Sequence, residues 1–60
     1  MNQIEHYISD LGNKILLKQK EIGFERNSNS RLRLRKELKV LQLRKEIAVI
    51  RKKIKQLEGE

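Results

Sequence analysis

Sixty residues with no cysteine, no proline and a single histidine amount to one small domain at most. A chain of this size buries only about 60% of its unfolded surface; it has no room for an enzyme's core plus a built pocket, and no disulfide or Cys/His metal cluster to staple it. Fifteen Lys and Arg stand against eight Asp and Glu, a net +7 with a pI near 10.2, so the expected partner is a polyanion and not a small-molecule substrate or a cofactor.

No apolar run approaches the roughly 20 residues that span a bilayer. Met1-Asn2-Gln3-Ile4-Glu5 lacks the basic start and apolar block of a secretory leader, so a soluble protein is expected.

Asn2 followed by Glu5 suggests a helix cap with a reciprocal partner. Ile4, Ile8, Leu11, Ile15 and Ile22 then recur at heptad spacing, with Lys18 in the one missing position. This predicts a first amphipathic helix over about 3–26. Gly12 inside it costs about 1 kcal/mol against alanine, which suggests a close approach by a neighbouring backbone. Gly23 would loosen the helix end.

Arg26-Asn27-Ser28-Asn29-Ser30 has no apolar residue and is rich in side chains that compete for backbone hydrogen bonds. It predicts a turn at about 27–31, with Ser28 or Ser30 capping a second helix over about 32–57.

The second helix carries Leu43, Ile47, Ile50, Ile54 and Leu57, spaced 4, 3, 4 and 3 apart. Set antiparallel to the first, this stripe pairs Ile4 with Leu57, Ile8 with Ile54, Leu11 with Ile50 and Ile15 with Ile47. Lys18 then falls opposite Leu43, and Ile22 opposite Val40. The expected architecture is an all-α, antiparallel two-helix hairpin. Leu34, Leu38, Leu41 and Ala48 lie roughly opposite that stripe, which suggests a second partner for them.

No catalytic motif emerges. There is no glycine-rich phosphate loop, no G-x-S-x-G and no HExxH. His6 has no second ligand at metal spacing, and Glu5 and Asp10 do not share a helix face well enough for acid–base work. Tyr7 and Phe24 are the sole aromatics, too few for a base-stacking platform, and Phe24 reads as a plug near the open end of the hairpin. The chain is therefore expected to be non-enzymatic.

Charge is distributed unevenly. Residues 1–26 carry four basic and four acidic side chains, whereas residues 27–60 carry eleven and four, so the whole excess lies in the second half. Arg33, Arg44, Arg51 and Lys55 fall along one flank of the second helix; Arg31, Arg35, Lys45 and Lys53 fall toward the other. Lys36 and Lys39 lie nearer the seam edge, with room to snorkel outward. The phosphate-binding candidates are Arg31, Arg33, Arg35, Arg44, Lys45, Arg51, Lys52 and Lys55. Such contacts bring affinity and salt dependence but no sequence reading.

The run Gln42-Leu43-Arg44-Lys45-Glu46-Ile47-Ala48-Val49-Ile50-Arg51 resembles the signature of bacterial ribosomal protein 29 of the large subunit, Q-V-R-[RK]-D-[IV]-A-R-[IV]-K. Leftward without gaps, Lys20-Glu21-Ile22 meets the family's K-E-L, and Arg26 meets the arginine of its L-R-F. Ile8-Ser9-Asp10-Leu11 with Ile15-Leu16 resembles its first-helix pattern. Val49, Lys52, the segment Ile22-Gly23-Phe24-Glu25-Arg26-Asn27 and Leu32 depart from it. The resemblance implies a structural constituent of the large ribosomal subunit: a helical hairpin on ribosomal RNA near the polypeptide exit tunnel, beside the twenty-third large-subunit protein, in the cytoplasm or an organelle. It makes Arg44, Lys45 and Arg51 the first candidates for RNA contact.

Two rival readings stand beside it. In one, Val40 to Leu57 pairs with another chain, and the protein is a free coiled-coil dimer acting as a small nucleic-acid-binding regulator. In the other, a basic amphipathic helix lies on an anionic membrane; the lack of tryptophan and the neutral first half argue against it.

Overall fold

The computed structural model describes residues 3–59, which form two α-helices, α1 (Gln3–Phe24) and α2 (Ser28–Glu58). They fold back on each other as an antiparallel hairpin with Cα extents of 50 × 17 × 11 Å. The all-α hairpin expected from the two periodic segments is what the chain forms. The Asn2 cap proposed for α1 lies outside the described residues.

The turn is shorter and earlier than the polar run suggests. It comprises residues 25–27, and Ser28 to Arg31 already belong to α2. The Glu25 amide donates to the Glu21 carbonyl at 3.0 Å, continuing α1's ladder, and the Asn27 amide donates to Glu25 Oε1 at 3.1 Å. Asn27 is extended (φ −79°, ψ 123°), and its Oδ1 accepts from the amides of Asn29 at 2.9 Å and Ser30 at 3.1 Å. Those are two of the donors that a helix start leaves unsatisfied. Asn27 is thus the N-cap, in place of Ser28 or Ser30.

This start sets the register. Among the described residues two ion pairs cross the hairpin, Lys18 Nζ to Glu37 Oε1 and Lys52 Nζ to Glu5 Oε1, each at 3.2 Å. Partners across the seam therefore have residue numbers adding to about 56.

The seam on α2 is consequently the face that was expected to look outward. Leu34 and Ala48 are buried there, and Leu38, Leu41, Lys45, Val49 and Lys52 are half-buried. From α1 they meet buried Leu11 and half-buried Ile4, Ile8, Ile15, Lys18 and Ile22. The expected pairings of Ile4 with Leu57 through Ile22 with Val40 do not occur. Leu43, Ile47, Ile50, Ile54 and Leu57 are instead 45–73% exposed.

The physical reason is twofold. A turn near residue 31 would leave the Asn27 cap unused and remove a turn of helix. It would also press Lys18 against Leu43, whereas in the observed register Lys18 meets Glu37 and, at 3.7 Å, Glu21. Burying an ammonium without a partner is costly. Phe24 is 86% exposed and plugs nothing. Gly12 faces the side chain of Lys45, not a backbone; a Cβ there would stand 3.8 Å from Lys45 Nζ.

Candidate nucleic-acid interface

The eight candidate residues divide into three groups on the folded hairpin. Arg33, Arg44, Arg51 and Lys55 are exposed and lie within about 40° of one another around α2, along about 33 Å of its length. Arg31 and Arg35 are exposed on the opposite flank, near the start of α2. Lys45 and Lys52 are half-buried at the seam, and Lys52 is held by Glu5. Those two cover hairpin surface with their stems before anything else.

The long flank is not uniform. At its centre Arg44 and Arg51 line a groove of about 300 Å³ with Ile4, Tyr7, Ile47 and Ala48. Near the turn Arg33 lies in a separate depression with Lys20, Glu21, Phe24 and Glu25, where two carboxylates reduce the local positive field. The strongest unneutralised part of the flank is therefore the Arg44–Arg51 segment. Among the described residues, neither arginine has an ion-pair partner within the chain.

Tyr7, set aside in the sequence as one of too few aromatics for a base-stacking platform, takes a place here that the sequence reading did not foresee. It comes from α1, is 47% exposed, and shares the groove with both arginines. Its position follows from the observed register, in which partners' numbers add to about 56 and residue 7 falls opposite residue 49. An exposed aromatic ring that shares a groove with two arginines can take a base face while the arginines take phosphate oxygens.

The start of α2 adds to the positive field. Its first turn holds no acid, and Arg31, Arg33 and Arg35 cluster at the helix end whose amides already carry partial positive charge. Arg31, Arg35, Ser28, Asn29 and Leu32 line a shallow hollow there. Like charge at that end disfavours the helix, and a bound anion would offset it.

Neither a catalytic constellation nor a group of metal-binding side chains is found among the described residues. No described helix is long and apolar enough to cross a membrane. Neither a protein-family model, nor a curated protein, nor a solved structure matches the chain.

Proposed function

We propose that the protein is a non-catalytic RNA-binding hairpin that lays the Arg33–Lys55 flank of α2 along closely packed phosphates. The observation that carries this is the flank itself: a row of exposed cations about 33 Å long with no intrachain ion pair among the described residues. Glu37, an acid on this flank, is engaged by Lys18 of α1 at 3.2 Å, which leaves the row of cations in excess. The role of α1 is to hold α2 straight and to bring Tyr7 into the groove that Arg44 and Arg51 line.

The narrower form of this reading comes from the resemblance in the Gln42–Arg51 stretch. It makes the protein a structural constituent of the large ribosomal subunit, on ribosomal RNA near the polypeptide exit tunnel and beside a neighbouring ribosomal protein. In that setting Arg44→Glu with Arg51→Glu is expected to weaken incorporation into the subunit, and unchanged occupancy in purified particles would refute it. On isolated RNA the same double change is expected to lower the slope of log affinity against log salt by about 1.4–1.8, at roughly 0.7–0.9 per lost phosphate contact.

A second reading is the coiled-coil dimer acting as a small nucleic-acid-binding regulator. One observation favours it: the apolar stripe from Val40 to Leu57 is uncovered in the hairpin.

A further inference from the structure

The outward stripe of α2 plays no part in the hairpin seam, and only Ile47 of it borders the Arg44–Arg51 groove. Val40, Leu43, Ile47, Ile50, Ile54 and Leu57 follow one another at spacings of 3, 4, 3, 4 and 3, and all are 45–73% exposed. They lie on the side of α2 roughly opposite α1. Such a row of six large aliphatic side chains is the seam of a coiled coil that lacks its other strand.

The residue types at the two core positions name the strand. Val40, Ile47 and Ile54 occupy the a positions and are all β-branched. Leu43, Ile50 and Leu57 occupy the d positions, two of them leucine. β-branched residues at a with leucine at d favour two parallel strands over trimers or tetramers.

The flanking charges make the same choice. In a parallel pair, Glu46 faces Arg51 of the second copy and Lys53 faces Glu58, both attractive; Lys39 faces Arg44, which is repulsive. In an antiparallel pair, Glu46 with Lys53 attracts, but Arg44 then faces Arg51. Parallel pairing thus has two attractive contacts per repulsive one, and antiparallel pairing has one. All six side chains are exposed, and none is engaged in an intrachain ion pair among the described residues.

We propose that a second copy of this chain covers the stripe, forming a parallel two-stranded coiled coil of α2 against α2, with each α1 on the outside. The pairing also has a natural limit. Continuing the heptads toward the turn puts Lys36 at d and Arg33 at a, so the coil ends at Val40 and like charge drives the two α2 starts apart. Each diverging arm carries Arg31, Arg33 and Arg35, which gives the dimer two basic arms to set on either side of a polyanion. The proposal extends the RNA-contact reading without depending on which polyanion is bound, with Arg51 shared at the coil's edge between Glu46 of the second copy and the polyanion.

Sedimentation equilibrium of the nucleic-acid-free protein tests it. The expected result is the mass of two chains, kept in high salt because the seam is apolar. Ile50→Glu is expected to lose the two-chain mass and Ile50→Leu to keep it, with helical circular dichroism retained in both, since Ile50 is outside the hairpin seam. The chain has no cysteine of its own, so introduced ones report direction. Leu57→Cys is expected to cross-link readily on mild oxidation. Cross-linking confined to mixtures of Val40→Cys and Leu57→Cys chains would show the antiparallel arrangement and overturn the proposal. A one-chain mass at every concentration, or a mass of three or more chains, would also overturn it. RNA binding by a strictly single chain refutes the dimer and leaves the phosphate reading standing; a dimer indifferent to RNA does the reverse.

Discussion

The two apolar faces of α2 make an instructive pair. The outer face has the larger side chains and the more regular spacing, yet α1 packs on the inner face of Leu34, Leu38, Leu41 and Ala48, which is interrupted by Lys45 and Lys52. Hydrophobic regularity therefore did not choose the seam. What chose it was polar chemistry at the turn and the placement of one lysine. Asn27 starts α2 early, and Lys18 needs Glu37 and Glu21 within reach. The crossing ion pairs are partly exposed and worth no more than about 1 kcal/mol each, so they select a register without holding it shut. Ala48 contributes by size, since a small buried residue lets the two helix backbones come close.

The largest expected effect separates these faces directly. Leu34→Ala truncates one of the three side chains buried among the described residues and is expected to destabilise the hairpin by about 2–5 kcal/mol. Leu43→Ala, at 45% exposure, is expected to cost less than about 1 kcal/mol in dilute solution. Urea melts followed by circular dichroism compare the two, and equal losses would mean the outer face also packs within one chain.

A smaller effect probes how the inner face is chosen. Asn27→Ala leaves the Asn29 and Ser30 amides without their acceptor and is expected to cost about 1 kcal/mol. Amide chemical shifts are expected to move over Ser28 to Arg31 first, because that turn is anchored by the cap. Shifts confined to the middle of α2 would contradict the assignment of Asn27.

The smallest effect has the opposite sign. Gly12 meets no backbone across the seam, and an added methyl would make ordinary contact with the Lys45 side chain. Gly12→Ala is accordingly expected to stabilise the hairpin by up to about 1 kcal/mol. A loss in thermal midpoint would show that α1 and α2 approach more closely at this point than the seam geometry indicates.

The hairpin itself was legible in the residues, because two helical periods without proline flank a short polar segment. The choice of seam was not. Any two antiparallel stripes with 4–3 spacing give partners whose numbers add to a constant, so the constancy of 61 or 62 among the expected pairs carried no information about the register. The value of the constant did, and it depends on the turn. Asn27, Ser28 and Ser30 are all good caps, and choosing among them moves the seam by half a turn of α2 or more. The charge split was equally plain, and it correctly set apart α2 as the basic element. Which cations are spent within the hairpin was hidden, since Lys45 and Lys52 look like Arg44 and Arg51 until the register is known. Tyr7 was named and set aside, and its place beside Arg44 and Arg51 was hidden for the same reason.

The unequal helix lengths have a consequence of their own. α2 runs 31 residues and α1 only 22, so the last turns of α2 extend past the described end of α1, and residues 53–59 are all exposed. Such an overhang opens without unfolding the rest, since among the described residues it is held by its own ladder and the Gly59 amide bond to the Lys55 carbonyl. Its amides are expected to exchange with solvent fastest in α2, and the protection of Ile54 and Leu57 then becomes a direct gauge of occupancy on the outer face. In the lone hairpin they fray; once that face is covered, they slow to the rate of the seam.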